Sequence, residues 1–238
     1  MTKSLLFIIA LTCSFHLFSQ LITTTNTENT SGFFDTTTNV YFETDVFSVS
    51  RDLMPNEAYL NTPLGNRENE TPLTCSSFTL GISLPLNTVL KLNTGLCFLQ
   101  NGESYNWQST ENDSTFNYTS RYGYIALPIS LSTAYGKKLK FHISAGITPG
   151  IFNNYKKQTN WTDPDGSEYD EETKIQNDLN SFNLSAQGSI GMAYYFKSFS
   201  IRASYALRKQ LNNTYKAYQD YIHRSIGMGG RLTLTYFL

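Results

Sequence analysis

Charge is scarce in this chain. Asp, Glu, Lys and Arg make up only 16% of its 238 residues, against roughly 25% in an ordinary soluble domain. The 18 basic and 19 acidic side chains leave a formal charge of -1. No basic excess exists to neutralise phosphates, which argues against a nucleic-acid partner. Cysteine is limited to 3 residues and tryptophan to 2. Beyond the N-terminus there is no run of about 18 apolar residues, which excludes a membrane-spanning helix. No Gly-x-Gly-x-x-Gly after a strand, phosphate-binding loop, zinc spacing or Gly-x-Ser-x-Gly occurs, so no cofactor is expected. What fills the chain instead is 16 Tyr, 16 Phe and many Thr, Ser and Asn. These residues favour strands and turns, and they exclude a helical bundle.

The first residues read as an export leader. Lys3 supplies the positive end, Leu5 to Leu11 form a short apolar core, and Ser19 offers a small residue for cleavage. Residues 1–19 are therefore expected to be a signal peptide, too short for an anchor. Cys13 lacks the small preceding residues of a lipidation site, since Leu11 and Thr12 stand before it. Residues 20–38 are expected to be an N-terminal leader, either disordered or folded over one rim, and 39–238 the barrel domain. Cleavage leaves Cys75 and Cys97, in a compartment where disulfides are permitted.

From residue 74 onward the period is two. Phe78, Leu80, Ile82 and Leu84 interleave with Ser77, Thr79, Gly81 and Ser83. Leu139, Phe141, Ile143, Ala145, Ile147 and Ile151 share one face, with Lys140, His142, Ser144, Gly146, Thr148 and Gly150 on the other. Similar segments surround Leu96, Ile129, Ile190, Ile201 and Leu234, and Asn39 to Ser50 is a less regular first strand. Such alternation is strand, not helix. Eight segments result, many longer than the roughly 5–6 residues of a soluble strand. They reach the 9–11 or so that cross a bilayer at a tilt.

The connections alternate in length. Those at 51–73, 101–115 and 157–180 are long and that at 211–221 intermediate; those at 85–88, 135–137 and 197–198 are short. A meander through a membrane has tight turns at one rim and long loops at the other. Aromatic residues are expected to mark both rims: Tyr135, Tyr194, Phe196, Phe199 and Tyr236 at one, Tyr105, Trp107, Phe116, Tyr118, Tyr122, Tyr155 and Phe182 at the other. The expected fold is all-β: an eight-stranded antiparallel up-and-down transmembrane β-barrel. The competing architecture is a soluble barrel of lipocalin type with its apolar face inward.

The stretch Tyr124 to Phe152 resembles the outer-membrane β-barrel ("porin family") domain common in Bacteroidetes. It carries the Leu127-Pro128 step, the Gly-Lys turn at 136–138 and the Ala145-Gly146 pair. Ser189 to Met192, Arg202, Tyr205 and Leu232 to Leu238 agree with it. The resemblance implies location in the outer membrane of a Gram-negative cell, contact with outer-membrane lipid and lipopolysaccharide, and insertion by the barrel-assembly machinery. That machinery would read the alternation Leu232, Leu234, Tyr236, Leu238. For most of the family no activity is implied.

Eight strands enclose just enough room for their own side chains. Alternation sends Glu43, Asp45, Lys91, Lys140, Arg202, Arg208 and Arg231 into that interior, where burial requires them to pair. A closed, charge-paired lumen and a non-enzymatic structural or surface-contact role through the outer loops are expected. The alternatives are a narrow channel, a secretion-system accessory barrel, and a lipid-modifying enzyme. For the last, His142 and Ser144 lie two apart on one strand face, as a base and nucleophile must. This His-x-Ser is similar to that of the lipid A deacylase barrels. However, no carboxylate stands between Ser144 and Thr162 to orient the histidine. Asp163, Asp165, Gly166, Glu168, Asp170, Glu171 and Glu172 form an acidic loop whose spacing departs from a calcium loop, so a solvated loop is expected. If Leu84 pairs with Thr88, Cys75 faces Cys97, which leaves a cross-strand disulfide or two unlinked thiols as the alternatives.

Overall fold

The structure, a computed structural model, describes residues 37–57, 67–174, 177–216 and 220–238. The expected signal peptide lies outside them, as does the leader up to residue 36. Eleven strands form one antiparallel sheet. They are β1 (Asn39–Pro55), β2 (Glu70–Thr71), β3 (Leu73–Pro85), β4 (Leu90–Gln108), β5 (Thr115–Ala126), β6 (Ile129–Gly136), β7 (Leu139–Thr162), β8 (Glu168–Thr173), β9 (Phe182–Tyr195), β10 (Phe199–Gln210) and β11 (Tyr221–Phe237).

The sheet closes on itself. β1 pairs with β3 on one side and with β11 on the other, Asn39 opposite Phe237 and Pro55 opposite Tyr221. Between them the order runs through β4, β5 with β6, β7, β9 and β10. β5 and β6 are one stave interrupted at Leu127-Pro128, because Pro128 has no N–H to give the ladder. The register survives the gap, with Ala126 opposite Gly150 and Ile129 opposite Ile147. Counting β5 and β6 as one, and setting aside β2 and β8 as extensions at one rim, gives a ring of eight staves.

Its exterior is apolar and its interior polar. Along β7, Leu139, Phe141, Ile143, Ile147 and Ile151 are exposed, while Lys140, His142, Ser144 and Thr148 are buried. The soluble alternative required the reverse. Leu139 to Ile151, at about 3.4 Å per residue and a tilt of about 40°, rises about 30 Å, enough for a hydrocarbon core.

The expected loops are largely strand. β4 and β5 run on to Gln108 and Thr115, pairing at every position from Cys97 with Ala126 upward. β7 continues to Thr162 and is joined there by β8. A five-stranded sheet, β2-β4-β5-β7-β8, thus rises beyond the apolar belt. The opposite rim keeps tight turns. One differs from expectation: Asn87 Oδ1 accepts from the backbone N–H groups of Val89 and Leu90 at 2.7 and 2.8 Å. That turn sets Leu84 opposite Leu92, not Thr88.

Candidate functional site

The lumen holds two polar clusters, one towards each rim. The one towards the tight-turn rim is built by alternate residues of β1, β7, β9, β10 and β11. Arg231 grips Asp45 with two donors, Nε at 2.7 Å and Nη2 at 3.0 Å, and its Nε lies 3.2 Å from Glu43. Its Nη2 also donates to Gln187 at 3.1 Å. Arg202 reaches Glu43 at 3.2 Å and Thr233 at 3.0 Å. These partners come from opposite ends of the chain, since Asp45 on β1 meets Arg231 across the closing seam.

All seven expected charges point inward. Glu43 and Asp45 face five cations. Arg208 is held by neutral acceptors: Gln100 O at 2.8 Å, Asn101 Oδ1 at 3.0 Å and Ser77 Oγ at 3.3 Å. Its guanidinium also lies over the Phe47 ring, 4.9 Å from the centroid. Lys140 sits over Tyr195 at 4.7 Å, and Lys91 donates to the Thr37 carbonyl at 3.2 Å. Among the described residues Arg231 and Arg202 take the two carboxylates, while Arg208 rests on amide, carbonyl, hydroxyl and ring acceptors, which satisfy donors without cancelling charge.

The second cluster lies towards the long-loop rim and went unread in the sequence. Glu103 Oε2 is 2.6 Å from His223 Nε2, and its Oε1 accepts from Tyr122 OH at 3.1 Å. Tyr122 OH meets Tyr215 OH at 3.1 Å. Arg51 bridges Glu103, at 3.7 Å, to Glu70, and Arg67 closes on Glu70 at 2.7 Å. Burial pushes the Glu70 carboxyl up, but hydrogen bonds from Arg67 and Arg51 outweigh it and hold the group below the usual carboxylate range. Glu103 shares the inward parity of Cys97 and Asn101. Extending the alternation of β4 past Phe98 would have found it.

Two connections close this end. Asn180 N donates to Thr214 O at 2.8 Å, Lys216 N to Asp178 O at 2.9 Å, and Leu179 bridges Tyr215. Leu179 and Tyr215 then pack on buried Tyr122, Tyr124 and Tyr155. Tyr122 and Tyr155, expected in an outer lipid-facing belt, are thus inside the barrel. Tyr105, Phe116 and Tyr118 share the inward parity of Tyr122, for Tyr105 pairs with Tyr118 and Asn101 with Tyr122. The outer belt of the sequence reading is mostly an inner one.

The remaining candidates are not brought together. His142 lies with both ring nitrogens 3.1–3.2 Å from Arg202 Nη1, whereas Ser144 Oγ pairs with Ser189 Oγ at 2.7 Å. Both are buried in the lumen, away from lipid. Cys75 and Cys97 are free and buried. Cys97 faces Thr79 and Cys75 faces Phe47, so the Asn87 turn removes the register a disulfide needed. The acidic loop is a hairpin turning at Asp163–Ser167, with Gly166 at φ +85°. Strand alternation sends Glu168, Asp170 and Glu172 to one face and Glu171 to the other. Among the described residues no group of three or more His, Cys, Asp or Glu converges as a metal site.

One further feature stands beyond the apolar belt. Trp107 pairs with Phe116, Phe116 with Trp161, and Trp161 with Tyr169, an aromatic row running directly across four strands. Trp161 and Tyr169 stack at 5.2 Å, and just below them Tyr105 and Tyr118 stack at 5.6 Å. Both tryptophans of the chain stand in this row.

A closed ring of tilted strands, apolar outside, polar inside and with every long connection at one rim, is a transmembrane β-barrel. The chain belongs to the outer membrane protein beta-barrel domain family, whose model matches residues 52–212, and it is located in the outer membrane among its lipids. Among solved structures it is similar to Neisserial surface protein A, at 9% identity and a TM-score of 0.38, over 84% of this chain and 97% of that one. It is also similar to Ail of Yersinia pestis, at 11% and 0.32 over 84% and 99%. For the outer membrane protease OmpT of Escherichia coli the values are 10% and 0.40 over 90% and 100%. At such identities the likeness concerns the fold alone. No curated protein matches the sequence.

Proposed function

We propose that this is a non-enzymatic surface-contact barrel. The membrane part is a closed support, and the sheet above it presents the row Trp107-Phe116-Trp161-Tyr169 to a ligand at the cell surface. That row carries the reading. Trp107, Phe116 and Tyr169 stay 39%, 38% and 45% exposed although they lie beyond the lipid belt. Large rings held in register in a wet region mark contact surfaces. Contact with lipopolysaccharide, delivery by the barrel-assembly machinery and export by a leader over residues 1–19 belong to the same reading.

The lipid-modifying alternative finds little support, because Ser144 is engaged by Ser189 and both candidate residues face the lumen. A channel finds little either, since Arg208 on β10 reaches across the interior to Ser77 on β3 and Asn101 on β4, and Leu179 and Tyr215 pack over the outer end.

The test is attachment of cells producing the wild type or Trp107→Ala/Trp161→Ala to surfaces coated with glycans or matrix proteins. The heat-shifted gel band confirms that each barrel is folded. Loss of attachment in the double variant supports the reading; wild-type attachment by folded variant sinks it.

A further inference from the structure

The face that carries the aromatic row already seats one cation. Just below the row, Lys157 Nζ lies 4.8 Å from the centroid of the Tyr118 ring, and Tyr118 stacks on Tyr105 at 5.6 Å. Glu171 stands on the same face, opposite Thr159, which in turn lies opposite Tyr118. Lys157 makes no ion pair with it among the described residues and rests on the ring instead. The face of an aromatic ring is negative and attracts cations, Trp most strongly. Over Trp107, Phe116, Trp161 and Tyr169 no cation lies among the described residues.

The row is open at both ends. Trp161 and Tyr169 stack nearly parallel, 11° apart, so each covers one face of the other. β8 pairs with β7 alone, which leaves the second face of Tyr169 at the free edge of the sheet. Trp107 stands at the other end and stays 39% exposed. Neighbouring strands lie about 4.8 Å apart, so the four rings span about 14 Å, room for more than one cation.

Carboxylates around the row are in excess. On the opposite face of the sheet Glu168, Asp170 and Glu172 offset Arg121, Lys156 and Lys174, with Glu172 bonded to both lysines at 2.9 and 2.8 Å. Glu111 and Asp113 in the β4–β5 turn, Asp163 and Asp165 in the β7–β8 turn, and Glu171 then face Lys157 alone. None of these carboxylates forms an ion pair among the described residues. Each stands two to four residues from a ring of the row, at most about 14 Å of chain. Residues 108–120 and 158–173 contain no Lys or Arg. An anionic ligand is repelled here, and a neutral one gains nothing from the carboxylates.

We propose that the partner met by this row is a cationic polypeptide, its Arg and Lys side chains seated on Trp107, Trp161 and Tyr169 and attracted by Asp163, Asp165 and Glu171. The proposal rests on the surface-contact reading and names the chemistry of the partner. A span of about 14 Å selects a chain with several charges over a single ammonium. Alternate side chains of an extended peptide lie about 7 Å apart, so two or three reach the row together. A guanidinium is planar and stacks flat on a ring, which favours Arg over Lys.

The test uses the full barrel in a neutral detergent and a dodecapeptide of alternating Arg and Ser carrying a neutral fluorophore. A second peptide has citrulline for Arg, which keeps the shape and removes the charge. Both tryptophans stand in the row, so their emission reports contact there, while anisotropy of the fluorophore gives the affinity. The Arg peptide is expected to change tryptophan emission and to bind about tenfold more tightly than the citrulline peptide. Trp161→Leu/Tyr169→Leu should weaken it about tenfold. Asp163→Asn/Asp165→Asn/Glu171→Gln should weaken it severalfold, and less so at high salt. The heat-shifted band shows that each variant is folded. Equal binding of the two peptides overturns the cation and leaves the surface-contact reading to its attachment test. Charge-dependent binding that Trp161→Leu/Tyr169→Leu leaves unchanged overturns the ring seat in favour of diffuse attraction to the acidic turns. Full displacement by an equal concentration of spermine assigns the row to a polyamine and overturns the polypeptide. Binding of neither peptide overturns the proposal outright, whereas wild-type attachment by Trp107→Ala/Trp161→Ala cells sinks the reading beneath it.

Discussion

β7 obeys opposite rules in its two halves. From Leu139 to Ile151 the apolar side chains face out and Lys140, His142 and Ser144 face in. From Tyr155 to Trp161 the aromatic residues take the inward face, and Lys156 stands outside opposite Arg121. The switch is a β-bulge: Gly123 pairs with Asn154 but Tyr124 with Phe152, so Asn153 is an extra residue that reverses parity. β5 makes the same change without a bulge, its inward face passing from Ala126 to Tyr124 and Tyr122. Lipid outside demands apolar side chains there and tolerates polar ones within. Once the strands leave the lipid the outer face meets water, and the apolar residues do better packed against each other inside. The solvent, not the strand, decides which face is apolar.

The largest expected effect comes from the lower lumen. Arg231→Met strips Glu43 and Asp45 of their shared partner and leaves buried carboxylates, at a cost of about 3–5 kcal/mol. Urea titration of the folded gel band should show it, and an unchanged midpoint would mean that water replaces the arginine. Next, Ile143→Arg on the outward face at mid-belt should cost about 2–4 kcal/mol. Asn117→Arg, equally outward but on the extension, should cost close to nothing. Equal costs would erase the boundary between the two halves. Deleting Asn153 should restore strict alternation, turn Trp161 outward and red-shift tryptophan emission while the membrane part remains heat-resistant. An unshifted spectrum would deny the bulge its role.

Smaller effects remain. Alkylation without reductant should label both Cys75 and Cys97 in the denatured chain and neither in the folded barrel; a chain two mass units lighter and unlabelled would restore the disulfide. The smallest concerns pH. Hydrogen bonds from Lys174 and Lys156 hold the exposed Glu172 carboxyl down to about 2. A depressed carboxyl contributes stability that is fully present above its unfolded value and lost as pH falls through its folded one. Protection of the β8 amides against hydrogen exchange should therefore persist at pH 4 and fade towards pH 2. In Glu172→Gln that pH dependence should vanish.

The sequence by itself determined the number of staves, which rim carries the tight turns, and the face of each side chain within the lipid belt, including all seven lumen charges. Those follow from a period of two read against one boundary condition, and they are local. Tertiary structure decided the rest. Asn87 lengthened one turn and moved Cys97 four residues away from Cys75. A single extra residue at Asn153 reversed a parity. Ring closure set Asp45 beside Arg231, 186 positions along the chain. Glu103 and His223 stayed hidden because the strands were ended where their lipid-facing alternation ended. Register, bulges and closure are set by pairings between distant segments, and no periodicity along one segment encodes them.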